Sequence, residues 1–366
     1  MFGYNDLVVQ DDMKLMADTL VQWSNLKNKT VLVTGATGML ATYITYLLCY
    51  LHEERNYNIH VIVLCRTRSK AEDLFLPFLK ETWFSLFCQD ICDPIHCPTS
   101  VDYIFHLAGN ASPYFIKNDP VGIIKSNLLG TYNIVEFARE NKVQNIVFTS
   151  TREVYGKNED ALMLSEDNYG VVNPLENRAC YPESKRAAET LLYSYWLQYQ
   201  IPFCVVRIAH CYGPGMKLKD DGRVMADLLS NVIEGENIVL NSDGSAERAF
   251  CYITDAVIAM FYVLFNGKSG KAYNLANETE PISIKELAEL LVSIRKDKQI
   301  KVVFEIPAIT PSVYCNYKRT GLSTTELEKL GWYPKVCLRD GIIKTINSMS
   351  QPVSYTHLRA HETGAY

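Results

Sequence analysis

A chain of 366 residues is long enough for one large domain or two moderate ones. With 48% apolar and 21% charged residues it has the balance of a soluble globular protein, and 36 basic against 41 acidic side chains leave a net charge of −5. That balance argues against a nucleic-acid binder, which needs a basic face, but leaves room for a local basic pocket that takes a phosphorylated small molecule.

The longest apolar runs, Tyr43–Leu51 and Ala256–Phe265, are about half of the ~20 residues a membrane span takes. No membrane partner is therefore expected. The N-terminus MFGYNDLVVQDD lacks a basic stretch followed by an apolar one, so no signal peptide is expected. Eleven scattered cysteines fit reduced thiols and a cytoplasmic location better than a disulfide framework.

In chain order, residues 1–28 form an N-terminal extension that reads as an amphipathic helix. Met13, Leu15 or Met16, Leu20, Trp23 and Leu26 recur at roughly helical spacing. Thr30–Thr34 is a short β-branched strand, followed by the turn Gly35-Ala36-Thr37-Gly38, a helix carrying Leu40, Ile44, Leu47, Leu48 and Leu51, and a second strand, His60–Cys65. This is a βαβ unit. Strands are predicted at Phe84–Cys88, Val101–Leu107, Asn145–Ser150 and Phe203–Ile208, and helices at Pro120–Asn141 and Tyr181–Tyr199. Strands separated by helices imply an α/β fold, a doubly wound parallel Rossmann sheet over residues 29–208. Beyond Tyr212 the pattern loosens around the turn clusters Gly213-Pro214-Gly215 and Asp220-Asp221-Gly222. Residues 209–350 read mainly as a smaller C-terminal lobe, interleaved with the first domain. Residues 351–366 have no clear period and resemble translated cloning sequence.

Three stretches carry chemistry. Gly35-x-x-Gly38-x-x-Ala41, between a strand and a helix, permits a tight turn and backbone approach to a pyrophosphate, with the helix N-terminus adding a positive end. The second strand ends in Cys65-Arg66-Thr67-Arg68-Ser69-Lys70 rather than an acid. Arg66 and Arg68 either hold a 2′-phosphate, which would make NADP possible, or form a solvated loop. Asp90 and Ile91, after the third strand, are placed to contact adenine. Tyr181-x-x-x-Lys185 puts both side chains on one helical face. A nearby ammonium is expected to lower the phenol from its ordinary ~10, so that Tyr181 takes a proton from a sugar hydroxyl as hydride leaves the same carbon. Ser150-Thr151-Arg152-Glu153 follows a strand, where Thr151 can bond the reacting oxygen or cap the strand, and Glu153 can act as a base or stand in solvent. Cys88, Cys92, His96 and Cys97 cluster, but their spacing matches no standard zinc pattern, so no metal is expected.

In this order and spacing the signals resemble the extended short-chain dehydrogenase/reductases of the nucleotide-sugar epimerase, dehydratase and decarboxylase group. The resemblance spans residues 29–348 and is strongest to the UDP-glucuronate decarboxylases. The supporting stretches are His106–Pro113, Ser165-Glu166-Asp167 through Asn173-Pro174, Asn177-Arg178-Ala179-Cys180-Tyr181, Asp221–Val224 and Glu247–Phe250. It implies a tightly held NAD, a nucleotide-sugar substrate and a homodimer joined through the helices at 120–141 and 181–199. By position it makes Thr151, Tyr181 and Lys185 the catalytic triad, with Glu153 as an added carboxylate. Cofactor contacts fall on Gly35, Thr37, Gly38, Met39, Arg66, Asp90, Ile91, Leu107, Ala108, Asn127, Tyr181 and Lys185. Substrate contacts fall on Ser112, Arg152, His210, Arg223 and Arg248, the last on the diphosphate.

The chain departs from the family pattern in three places. The family often has Asn where His210 stands, so His210 is either a substrate contact or a packed ring. The decarboxylases have Arg where this chain has Gly215. Sugar 4,6-dehydratases place an Asp before the Glu as a general acid, whereas Arg152 cannot serve as one. That favours C4 oxidation, C5 decarboxylation and C4 re-reduction over 4,6-dehydration, with 4,6-dehydration and 4-epimerisation the alternative reactions of the same family. Arg152 either meets the substrate carboxylate or faces solvent. A reading of another class, a cofactor-binding scaffold without catalysis, is opposed by the intact Thr151, Glu153, Tyr181 and Lys185.

Overall fold

The computed structural model describes residues 2–158, 162–219, 221–306 and 319–350; Asp220 and the tail at 351–366 lie outside the described residues. Seven strands form one sheet: β1 (Thr30–Thr34), β2 (His60–Cys65), β3 (Phe84–Cys88), β4 (Tyr103–His106), β5 (Asn145–Thr151), β6 (Phe203–Ile208) and β7 (Lys271–Leu275). Their order is β7-β6-β5-β4-β1-β2-β3, every pairing is parallel, and the sequence of strands reverses between β1 and β4. This is the doubly wound Rossmann order, and its ligand crevice opens beyond the carboxyl ends of β1 and β4. β7, which no motif announced, is drawn from beyond residue 208 and completes the sheet.

The principal helices are α1 (Leu7–Ala17), α2 (Met39–Arg55), α3 (Pro120–Asn141), α4 (Cys180–Tyr199), α5 (Val224–Glu234), α6 (Ile253–Asn266), α7 (Ile284–Ile294) and α8 (Leu338–Ser350). α2 and α6 cover one face of the sheet and are buried along most of their length, so both read as apolar runs. α3 and α4 pack together on the other face. α5 and α7, with the short pairs 238–240/302–304 and 247–248/282–283, build the smaller lobe.

The N-terminal extension is one helix and one short turn (Trp23–Leu26) rather than a single helix over residues 1–28. Asp18 ends α1, and the Thr19 hydroxyl bonds back to the Met16 carbonyl at 2.7 Å. Met13, Met16, Trp23 and Leu26 are buried, while Leu20 is 91% exposed. α1 is anchored by its fully buried Asp12. That carboxylate accepts from Tyr43 (3.1 Å) on α2, Tyr252 (2.7 Å) before α6 and Lys344 (2.6 Å) on α8. Burial raises the Asp12 pKa, and Lys344 pulls it back.

At the crevice the Thr34 hydroxyl accepts from the backbone N–H groups of Leu107 and Ala108, both at 3.2 Å. It must therefore donate its own proton to His106 Nδ1, 2.8 Å away. His106 Nε2–H in turn donates to Thr131 Oγ1 (3.2 Å), which donates to the Asn127 carbonyl (2.6 Å). This buried relay joins β1, β4 and α3. Burial, then the charge of Lys185, pushes His106 down to about 3.

Two outcomes follow. Asp12→Ala should lower unfolding free energy by about 3 kcal/mol in urea titration, because it strands Lys344 beside two unpaired phenols. The neutral His106 should make stability fall as pH drops from 6.5 towards 3, by about 2 kcal/mol at pH 5. The check is the His106 ring resonances, which should show a neutral imidazole at pH 5; a native-state midpoint near 6.5 would refute the assignment.

Candidate functional site

The site is built where β1 turns into α2. Gly35 sits at φ +65°, and a Cβ there would lie 2.8 Å from the Ala108 nitrogen, so the turn closes on the end of β4 only as glycine. Gly38 caps α2 with no side-chain bond, leaving the N–H groups around Thr37 and Met39 to face the crevice. Ala41 is buried against the sheet.

Across the crevice, Asn127 donates to the Ser184 hydroxyl at 2.9 Å, while its Oδ1 is buried without a partner. A Cβ on Gly109 would stand 2.6 Å from that Oδ1 and 3.3 Å from Lys185 Nζ. An orphaned acceptor, a buried ammonium and a glycine cradle at the switch point fit a dinucleotide ribose. Asp90 lies beyond β3, where its carboxylate accepts from the Cys92 N–H (2.9 Å). Ile91 is buried against Gly130 of α3. Arg66 is exposed, and Arg68 is drawn to Glu72 at 3.4 Å. The cysteine cluster holds no metal geometry: among the described residues no three His, Cys, Asp or Glu side chains converge on one point.

Tyr181 opens α4 and is 6% exposed, packed among Ile116, Ile123, Phe115 and Cys180. Its phenol is pushed up to about 12, by burial first and the Glu153 charge second; the Thr151 hydroxyl, Arg223 and Arg178 act the other way. This corrects the expectation of a lowered phenol. Lys185 does sit one turn along, but its Nζ donates to the Thr149 carbonyl (2.8 Å) and lies over the Phe148 ring (4.5 Å). Burial brings that ammonium down to about 8.

The frame behind these groups is ionic. Arg207 on β6 grips Glu189 on α4 through two bonds of 3.2 and 2.7 Å, and Glu189 also accepts from Ser150 at 2.5 Å. Glu153 accepts from Arg178 at 2.7 Å, so the loop before α4 orients that carboxylate. Arg178 lies within the Asn177–Tyr181 stretch, where its spacing alone does not reveal this partner.

The proposed substrate residues fall into two groups. Ser112 donates to the Asp221 carbonyl (2.9 Å), and Arg223 bonds the Asp221 carboxylate (3.2 Å), which fixes the loop beside Tyr181. Arg152, His210 and Arg248 line a pocket together with Arg319 and Glu278, which pair with each other. Arg319 and Glu278 were missed; both lie in the irregular C-terminal part, where no motif marks them. His210 sits at φ +46°, a left-handed conformation that costs about 1–3 kcal/mol for a non-glycine residue and marks a constrained site. Burial and then Arg152, Arg248 and Arg319 hold its ring down to about 3, hence neutral. Gly215 lies at φ +82°, and a Cβ there would be 2.6 Å from the Phe2 ring, so the N-terminal segment fills the space a side chain would need at that position.

Residues 31–276 match the NAD dependent epimerase/dehydratase family. The chain is 35% identical over 318 residues to UDP-glucuronic acid decarboxylase 6 of Arabidopsis thaliana, covering 86% of this chain and 87% of that one. It is 31% identical over 337 residues to UDP-glucuronic acid decarboxylase 1 of Danio rerio, covering 91% and 75%. In fold it resembles UDP-glucuronic acid 4-epimerase from Bacillus cereus, solved with UDP-glucuronic acid and NAD. The TM-score is 0.72 at 22% identity, covering 87% of this chain and 98% of that one. With the strand order, the glycine turn and these matches in hand, the chain belongs to the NAD-dependent epimerase/dehydratase family.

Proposed function

We propose that the protein is a UDP-glucuronate decarboxylase-like enzyme that oxidises C4 of the sugar, loses the C5 carboxylate as carbon dioxide, and reduces C4 again. NAD, when bound, takes hydride from C4 and gives it back. Gly35, Thr37, Gly38 and Met39 would hold its pyrophosphate, Asp90 and Ile91 its adenosine end, and Asn127 and Lys185 its second ribose. The family and the engagement of Arg68 by Glu72 favour NAD over NADP.

Tyr181 takes the C4 hydroxyl proton as its phenolate, with Thr151 bonding the same oxygen. The resulting C4 ketone makes the substrate a β-keto acid. When the C5–C6 bond breaks, its electron pair passes to the C4 oxygen as an enolate, which the proton held by Tyr181 and the Thr151 hydroxyl stabilise. Arg178 positions Glu153 beside the C5 region. A proton from solvent water replaces carbon dioxide at C5, hydride returns to C4, and return of the Tyr181 proton to the C4 oxygen closes the cycle. Arg248 is suited to the diphosphate.

The observation that favours decarboxylation over 4,6-dehydration is Arg152. A departing C6 hydroxyl needs an acid at that place and a guanidinium cannot give up its proton, whereas carbon dioxide leaves unprotonated. The test is mass spectrometry after incubation with UDP-glucuronate. The expected product is UDP-xylose, lighter by one carbon dioxide, or its 4-keto form, lighter by a further two hydrogens; an isomer of unchanged mass would instead mean 4-epimerisation. Tyr181→Phe should keep fold and cofactor but lose about 10³-fold or more in turnover.

The homodimer belongs to the same proposal. α3 and α4 present Val121, Ile124, Tyr132, Tyr193 and Leu197 to solvent on a paired helical face, and two such pairs would form a four-helix contact. Leu197→Glu should shift sedimentation from dimer to monomer; a wild-type monomer would refute the dimer.

A further inference from the structure

We propose that Arg152 is the specificity-determining residue of the sugar site, a cation held ready for a carboxylate on the hexose. The inference rests on the nucleotide-sugar reading above and deepens it by assigning the acidic group of the substrate a partner.

Arg152 directly follows Thr151, at the point where β5 gives way to a short turn, Arg152–Tyr155. Its guanidinium lies in the pocket with Arg248, Arg319 and His210. One arm donates to the Thr320 carbonyl at 3.1 Å, and the other meets His210 Nε2 at 3.4 Å. Both partners are neutral acceptors. Since arginine only donates, His210 must offer the Nε2 lone pair and keep its proton on Nδ1.

The charges on the pocket divide unequally. Arg319 is neutralised by Glu278, whereas among the described residues no carboxylate stands within ion-pair distance of Arg152. A partly buried guanidinium fixed only by neutral acceptors is oriented but not compensated, and an anion between its donors completes it. Of the three pocket arginines, Arg152 is the one joined in sequence to Thr151. A diphosphate on Arg248 therefore leaves Arg152 on the side towards Tyr181, where the sugar must lie. Position 215 offers no alternative cation, since a side chain there would run into Phe2.

The experiment compares binding of UDP-glucuronate and UDP-glucose by isothermal titration to the NAD-loaded protein. Wild type should prefer the uronate by at least about tenfold, the scale of one charge-assisted pair. Arg152→Met should lose about 10- to 100-fold for the uronate and under about threefold for the neutral sugar, collapsing the preference. Arg152→Lys should keep part of it, and carries the test if the methionine variant melts markedly early. Equal losses for both sugars, or a wild type without uronate preference, overturn the proposal. Product analysis separates the two readings. Uronate preference lost on mutation, but without carbon dioxide release, supports this inference and sinks the decarboxylase. Carbon dioxide release with selectivity intact in Arg152→Met does the reverse.

Discussion

The structure depends on the close approach of two backbones, the turn at Gly35 and the end of β4 at Ala108. Thr34 makes the approach specific, because its one hydroxyl satisfies the N–H groups of Leu107 and Ala108 while passing its proton to His106. A side chain at position 35 would collide with the Ala108 backbone, and a valine at position 34 would leave two buried donors unmet. Everything the crevice does requires β1 and β4 to part just beyond this point. The N-terminus of α2 then faces one wall, and Asn127 and Lys185 the other. The relay through His106 and Thr131 reaches the Asn127 backbone, so the geometry at the strand ends is tied to the placement of an acceptor that lacks a partner.

How much of this the sequence discloses depends on where the determining contacts lie. α3 begins and ends where the sequence places it, at Pro120 and Asn141, because a proline opens it and Lys142 closes it in a left-handed conformation. β1, β2 and β6 are legible as β-branched runs buried on both faces. β7 is not, because Lys271–Leu275 is short and follows a long apolar helix; it gains strand character only by pairing with β6. The N-terminal helix breaks at Asp18 for local reasons that the apolar spacing conceals. In the site, residues carried by compact motifs are legible. Arg319 and Glu278 are not, because their relation to Arg152 exists only across the pocket.

The state of Tyr181 was also hidden, for a different reason. Sequence spacing shows that an ammonium stands one turn away but not what that ammonium bonds. Lys185 donates to the Thr149 carbonyl and sits over Phe148, so the phenol is governed by its own burial and by Glu153. Once the phenolate has taken the C4 proton, a raised pKa lets Tyr181 hold it through the carbanionic stage and donate to the enolate oxygen. Glu153 would make ionisation still harder were it free, and its bond to Arg178 draws that charge partly away.

The remaining substitutions then form one pattern. Phe2, held against Tyr43 and Tyr46 by the extension that Asp12 anchors, occupies the approach to position 215, so glycine there is a packing consequence of the N-terminal segment. On the proposal above the cation of the sugar site is Arg152, whose guanidinium is held by acceptors that carry no charge. A histidine kept neutral by burial and by three neighbouring arginines provides one, despite its left-handed backbone. Arg152 and His210 are therefore coupled through their direct contact, while Gly215 answers to Phe2 and its own left-handed backbone.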